Sequence, residues 1–239
     1  MYKKLFKPAR KLHKWLGYLL AVQLLAWLLG GLVMSAIPLE KVHGKHLAER
    51  TLPNPFTQQN YTASLDKITA QVTNPTHITF EHFLTTPLIT VTNNSGQRSF
   101  HGISGEPFQA PTKQQITANA QAHLLINAQP ISTTFIAQGD REAGYNPHIW
   151  QVQFDDSINT TLYLSATNGK VITVRSTIWR IFDFFWMLHI MDYDARENFN
   201  NLLLISFAAT SVLFCLCGML LLLQGIKLRK FKRLIQRTK

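Results

Sequence analysis

Cysteine is nearly absent from this chain of 239 residues, and its two cysteines stand close together. Cys215 and Cys217 lie inside a long apolar run, and the long middle segment of the chain has none. That segment therefore contains no disulfide, and packing and hydrogen bonds must hold its fold. At positions i and i+2 of a helix the two side chains point to different faces, so we interpret both as ordinary apolar residues.

Charged residues are missing from two stretches that are each long enough to cross a membrane. Residues 15–39 and 202–226 are uncharged runs of 25 residues. About 20 apolar residues of helix span the hydrocarbon core of a bilayer, so the sequence predicts two transmembrane helices. The first run exceeds the ~7–15 apolar residues of a secretory signal, and we expect it not to be cleaved.

The glycines of the first run, such as Gly17 and Gly30, admit a close neighbouring helix. Gln23 should bond to that helix, because an unpaired amide in lipid is costly.

Acidic residues are absent from both ends of the chain. Residues 1–14 hold six lysines and arginines, residues 227–239 hold seven, and neither segment contains aspartate or glutamate. Basic segments beside a span stay in the cytoplasm, which predicts a multi-pass protein of the bacterial inner membrane with both termini cytoplasmic and residues 40–176 in the periplasm. The net charge of +11 is thus a topology signal and a contact for anionic lipid, rather than a sign of nucleic-acid binding.

Motifs of several enzyme classes are also missing. The chain has no glycine-rich phosphate loop, no G-x-S-x-G nucleophile elbow and no H-E-x-x-H zinc motif. These absences argue against a nucleotide-dependent enzyme, a serine hydrolase and a zinc protease. No flavin or nicotinamide domain is recognisable, so any electrons that the protein carries must come from another protein.

Between the two spans, one pattern occurs twice. A helical stretch, strands of alternating apolar residues and a polar turn with glycine follow one another in residues 57–108 and again in residues 111–175. Residues 93–96 (NNSG) are typical of a tight turn between strands, and Thr112 is typical of a helix start. We therefore predict an α+β membrane protein in which two helix-plus-antiparallel-sheet units lie between the transmembrane helices.

The segment that precedes the second span is rich in aromatic residues. Within residues 177–198, helical spacing places His189 on one face with four aromatic residues: Trp179, Phe182, Trp186 and Tyr193. An aromatic, partly polar helix is typical of the membrane surface. We predict an interfacial amphipathic helix that leads into the second span, and His189 is the residue on which the functional hypothesis depends.

Several short motifs resemble the PepSY-associated transmembrane family. They are HKWLG (13–17) at the first span, WMLH (186–189) and DYD (192–194) before the second, and NNLL (200–203) where it begins. The strand end at Leu164 and the turn at 168–170 (NGK) look like the close of a PepSY unit. The resemblance covers nearly the whole chain, in a short two-span form, and implies that both outer units are PepSY-like domains.

The resemblance also implies a function. Larger relatives in this family include inner-membrane reductases that release iron from siderophores in the periplasm, and they resemble b-type cytochromes whose spans hold haem through histidines. His13 and His189 match the positions of those histidines. Neutral imidazole is a good axial ligand for haem iron, and two imidazoles leave no open site, which suits electron transfer.

Geometry restricts that expectation. His13 is predicted at the cytoplasmic edge and His189 at the outer edge, and a hydrocarbon core of ~30 Å keeps one chain from placing both on a single iron. His189 would need His43, His46 or the same histidine of a second copy as its partner. Two spans cannot enclose a porphyrin, whereas four helices can. The hypothesis is therefore an accessory of periplasmic iron or siderophore reduction, or of transmembrane electron transfer, that binds haem b as a homodimer or with a partner membrane or periplasmic protein.

Other interpretations of the same residues stay open. His13 would only anchor the end of its helix, and His189 would only lock the surface helix to the outer domain. His43 and His46, together with nearby aspartates, would offer nitrogen and oxygen ligands to a divalent metal. The alternative function is a non-catalytic periplasmic module for binding, sensing or peptidase regulation, which captures a protein or peptide at an exposed sheet edge. No catalytic residue is assigned in either case.

Overall fold

The computed structural model describes residues 3–52 and 57–237, with side chains from Phe6 to Ile226 outside that gap. Residues 1–2, 53–56 and 238–239 lie outside the described residues, and they include the extreme ends of both predicted basic tails. The chain divides into two compact units. We call the part up to residue 36 and from residue 182 onward the helical unit, and residues 37–181 the sheet unit.

Two long antiparallel helices form most of the helical unit. They are α1, Lys3–Ala36, and the last helix of the chain, Leu202–Arg237. The stretches Phe6–Ala36 and Leu202–Ile226 are long and apolar enough to cross a membrane, which confirms that part of the prediction. Helix α1 ends at Ala36 rather than at residue 39, because Pro38 cannot continue a helix and disfavours helical backbone in the residue before it.

The aromatic segment is a helix only in its first part. It forms α5, Thr177–Ile190, and not the whole of the predicted 177–198. Met191 and Arg196 adopt left-handed backbone with φ of 53° and 59°, which ends the helical geometry. The carboxylate of Asp192 then accepts hydrogen bonds at 2.9 Å from the backbone N–H groups of residues 197 and 198. This closed turn leads into α6, Leu202–Arg237, whose first turn is capped by Asn201 through the N–H of Leu204 at 2.8 Å.

The first half of the sheet unit is a three-stranded antiparallel sheet with a short helix. After α2, Leu39–Val42, the chain forms α3, Leu65–Thr69, then β1, His77–Phe83, β2, Thr86–Asn93, and β3, Gly96–His101, in the order β1-β2-β3. The predicted tight turn at residues 93–96 joins β2 to β3. Ile68 of α3 packs on three residues of the sheet: Ile89, Val91 and Phe100.

The second half repeats this plan with four strands. Helix α4, Lys113–His123, is followed by β4, Pro130–Gln138, β5, Pro147–Phe154, β6, Thr161–Ser165, and β7, Val171–Arg175, in the order β4-β5-β6-β7. Thr112 and Gln115 form a capping box, as the predicted helix start requires. Ile116 and Ala120 of α4 pack into the core of this sheet. The predicted α+β fold, with a helix and an antiparallel sheet in each half, is thus present between the two long apolar helices.

The two halves of the sheet unit share a core. Phe83 and Leu88 of the first sheet belong to the cluster that underlies α4. Gly169 has a φ of +70°, and a Cβ added to it would lie 2.2 Å from a ring carbon of Phe83. Its carbonyl oxygen accepts a hydrogen bond from the buried amide of Asn119 at 2.8 Å. Only glycine meets both the backbone requirement and the close approach of the ring at this position.

Candidate functional site

His13, the first predicted haem ligand, is held against helix α6. Its Nδ1–H donates a hydrogen bond to the main-chain carbonyl of Phe214 at 3.0 Å, and the two rings stack with centroids 4.1 Å apart. Gly218 leaves room for the imidazole, because a Cβ at that position would lie 3.0 Å from Cε1 of His13. A neutral imidazole that carries its proton on Nδ1 keeps its lone pair on Nε2, which is the nitrogen that a metal would take.

His189, the second predicted ligand, lies at the end of α5 beside α1. The indole N–H of Trp27 donates to the main-chain carbonyl of His189 at 2.6 Å, and the two rings are 5.2 Å apart at 24°. The Nδ1 atom of His189 is buried and has no hydrogen-bond partner among the described residues. One helical turn before Trp27 on α1, the side-chain amide of Gln23 donates to the main-chain carbonyl of Leu188 in α5 at 3.0 Å. The prediction that Gln23 bonds to a facing helix is therefore confirmed.

The two imidazoles lie at different levels of the helical unit. His13 and Trp27, the contact residue of His189, are fourteen positions apart on α1, which is about 21 Å of helix rise. The described part of the helical unit contains no other histidine. Each level therefore offers a single imidazole per chain, and bis-histidine ligation at either level needs a histidine from outside this unit.

The predicted outer partners, His43 and His46, belong to the sheet unit and are exposed. Partial burial, with the positive charges of Arg50, Arg175 and Lys45, lowers the pKa of His43 and favours its neutral form. Their pairing with His189 stays a prediction. Among residues 3–52 and 57–237, no three histidine, cysteine, aspartate or glutamate side chains group closely enough to hold a metal ion, so the described residues do not support the metal-site interpretation.

A cavity in the sheet unit was not predicted from the sequence. It has a volume of about 180 Å³. Its described wall comes from the segment between α2 and α3, from β1, from the end of α4 and from the turn before β7. The lining residues are Arg50, Thr51, Leu52, Tyr61, Phe80, Glu81, His82, His123, Asn168 and Lys170. Glu81 and Lys170 form an ion pair of 2.6 Å in this wall. His82 and His123 both line this cavity, and nothing in their spacing along the sequence shows that they meet.

A partly buried network fixes the start of α5 within the sheet unit. Arg180 donates to the two carboxylate oxygens of Glu142 at 2.7 and 2.8 Å. The buried Tyr163 hydroxyl donates to the same carboxylate at 3.3 Å, and burial together with that negative charge raises the pKa of Tyr163. The bidentate contact fixes both the distance and the orientation of Arg180. The sequence gives no signal for it, because the partners are 38 positions apart.

The helical unit thus holds the rings of His13 and His189 in fixed orientations. The sheet unit contains a cavity with polar and aromatic walls. Comparisons of the chain with models of protein families, with curated proteins and with solved structures gave no match.

Proposed function

We propose that this chain is a short, two-span member of the PepSY-associated transmembrane family that acts as an accessory of electron transfer in periplasmic iron or siderophore reduction. In this proposal both termini are cytoplasmic, and the sheet unit lies in the periplasm of a bacterial inner membrane. The support for this topology is the charge pattern, since both ends are basic without a single acid. The observation that carries the function is the setting of His13.

The setting of His13 suits a histidine that would hold haem b. A histidine ligand normally donates its second ring N–H to a carbonyl or carboxylate, which fixes the tautomer and the ring orientation. The bond from Nδ1 of His13 to the carbonyl of Phe214 is of this kind. His189 lacks this bond, because its Nδ1 is buried without a partner among the described residues, so its place in the proposal comes from its match to the family's second histidine.

A second copy of the chain, or a partner membrane protein, completes the proposed site. One chain offers one imidazole at each of two levels, and two antiparallel helices do not surround a porphyrin. Two copies would bring four long helices together, which is the number that encloses a cofactor in bundles. The homodimer would then hold a haem between equivalent histidines at the level of His13 and another at the level of His189.

Neighbouring residues of the chain orient the two imidazoles, and a bound haem would supply one-electron chemistry. Phe214 fixes the tautomer of His13, and Gly218 admits its ring. Trp27 holds the backbone and the ring of His189. The apolar side chains around them, among which Leu20 and Phe207 are buried, exclude water and lower the local dielectric.

The test is absorption spectroscopy of the purified full-length chain, expressed with a supply of haem. The proposal predicts a b-type band in the reduced-minus-oxidised difference spectrum, and a loss of at least half of that band in His13→Ala. The double variant with His13→Ala and His189→Ala should have no band. His77→Ala, at an exposed position of β1, should keep the whole band. A band that both ligand variants retain in full would contradict the ligand assignment.

A second candidate function rests on the cavity of the sheet unit. Its wall combines aromatic rings with Arg50 and with the Glu81–Lys170 ion pair, which suits a polar peptide or the terminus of a protein better than an apolar ligand. In this case the chain is a non-catalytic binding or peptidase-regulating module. A wild-type preparation with no haem band, together with a bound periplasmic peptide that Arg50→Ala releases, would favour this function over the first.

A further inference from the structure

The described part of the sheet unit has four edge strands, and one of them differs from the rest. The edge strands are β1 and β3 in the first sheet and β4 and β7 in the second. Three of them carry a charged residue, namely Glu81 in β1, Arg98 in β3 and Arg175 in β7. Strand β4, PISTTFIAQ, carries none along nine residues. Charges on edge strands prevent pairing with other chains, and an uncharged edge invites it.

Strand β4 is also regular, and its exposed residues carry no charge. The only irregularity in its pairing with β5 lies between Pro130 and Ser132, so residues 132–138 form a regular stretch. Among the described residues, the backbone of 132–138 has no hydrogen-bond partner on the side away from β5. Phe135, the midpoint of the stretch, is 46% exposed even though its ring contacts Trp150 at 5.5 Å.

We infer that β4 is the contact through which a second copy of this chain pairs, as two antiparallel edge strands related by a twofold axis at Phe135. In this register, the side chains of residues 132–138 in one copy face suitable side chains of the same stretch in the other copy. Ser132 faces Gln138 of the other copy, Thr134 faces Ile136, and the two Phe135 side chains face each other. Thr133 faces the small Ala137. The polar pair, the β-branched pair and the aromatic pair, with no charges opposed, are of the kinds that stabilise antiparallel sheets.

The twofold arrangement is the one that uses the whole stretch. Centring the pair on Phe135 opposes all seven residues of 132–138, whereas a shift of the centre to residue 133 or 137 would leave four of them without a regular partner. Such isologous contacts are the commonest way in which soluble domains form dimers. The inference depends on the sheet unit alone and not on haem, so it goes beyond the proposed function and can fail or succeed independently of it.

Disulfide trapping between two differently tagged copies tests the register. Both copies carry Cys215→Ala and Cys217→Ala, one carries Ser132→Cys, and the other carries Gln138→Cys. Opposed residues have Cα atoms about 4.5–5.5 Å apart, within the range of a disulfide, whereas two copies of Ser132→Cys would be offset by six residues, about 20 Å along the strand. Oxidation in isolated membranes should therefore give a covalent dimer in the mixture and none with either variant alone.

Matched controls separate this contact from random collision. Gln97→Cys is exposed on edge strand β3, and a mixture of it with Ser132→Cys should give no dimer. No dimer in the Ser132→Cys and Gln138→Cys mixture, or an equal yield with Gln97→Cys, would overturn the inference. A disulfide from Ser132→Cys to a different protein would overturn it as well, because it would assign the edge to another partner.

Charge substitutions at the twofold axis give a second, independent test. Phe135→Lys in both copies places like charges directly opposite each other, which should lower the disulfide yield at least about threefold. Phe135→Lys in one copy and Phe135→Glu in the other should restore the yield, since opposite charges then face each other. A yield that does not change with either combination would show that residue 135 is not at the contact.

Discussion

Trp27 and His189 are joined twice, by a hydrogen bond of 2.6 Å from the indole nitrogen to the main-chain carbonyl and by stacked rings 5.2 Å apart. The contact connects the first long helix to the end of the aromatic helix, 162 positions later in the chain. It positions a histidine whose own Nδ1 is buried without a partner among the described residues. The side chain of Trp27 thus positions both the backbone and the ring of His189.

Trp27→Phe should destabilise the helical unit. The substitution keeps an aromatic ring but removes the donor, and it leaves the carbonyl of His189 with one partner fewer. Loss of such a partly buried hydrogen bond costs about 1–3 kcal/mol, which should lower the thermal midpoint of the full chain in detergent. Trp15→Phe is the matched control, since Trp15 is 64% exposed. Equal midpoints for both variants would show that the bond does not stabilise the unit.

Two glycines of α6 should respond in opposite directions to alanine. Gly225 has nothing within 4 Å of an added Cβ, so Gly225→Ala should be neutral or raise stability by up to about 1 kcal/mol through helix propensity. Gly218→Ala places its Cβ 3.0 Å from His13, and overpacking of this kind costs about 1–3 kcal/mol. Thermal melts of the two variants compare them directly. A Gly218→Ala protein as stable as Gly225→Ala would contradict close packing of the His13 ring against this position.

Gly169→Ala should disrupt the contact between the two halves of the sheet unit. The new Cβ would collide with the ring of Phe83 at 2.2 Å, and its φ of +70° disfavours any residue but glycine. We expect a loss of more than about 2 kcal/mol and increased proteolysis in both halves. Gly96→Ala has a positive φ but open space around it, so it should cost less. Proteolysis confined to one half would contradict a shared core.

The stability of the sheet unit should fall as the pH drops below about 6.5. Burial lowers the pKa of His123 from its ordinary 6.5, although its hydrogen bond to the carbonyl of Glu49 partly opposes that effect. In this pH range the unfolded chain binds a proton that the folded chain excludes, so protonation favours unfolding by at most about 1.4 kcal/mol per pH unit.

His123→Gln separates this contribution from the others. Glutamine keeps a donor for the carbonyl of Glu49 but does not titrate, so the slope of the thermal midpoint against pH should become shallower between pH 6.5 and the folded pKa of His123. Above pH 7.5, where the imidazole is neutral in both states, the difference between variant and wild type should be constant. A slope that is the same in both proteins would rule out His123 as the titrating group.

Local patterns in the sequence predicted the elements of the sheet unit, and distant contacts decided the rest. The tight turn at 93–96 and the capping box at Thr112 depend on neighbouring residues, and both are present. The end of α5 was placed too late because the left-handed residues at 191 and 196 and the turn around Asp192 give no periodic signal. The bond between His13 and Phe214 joins residues 201 positions apart, and no pattern within a helix shows which residue of another helix it will face.

The haem content of the purified full-length chain decides whether His13 holds haem b. Pyridine haemochrome analysis gives the number of haems per chain in wild type, in His13→Ala and in His77→Ala. We expect haem b in wild type, the same amount in His77→Ala, and half of that amount or less in His13→Ala. A wild-type chain without haem, or a His13→Ala chain with the full amount, would contradict this assignment.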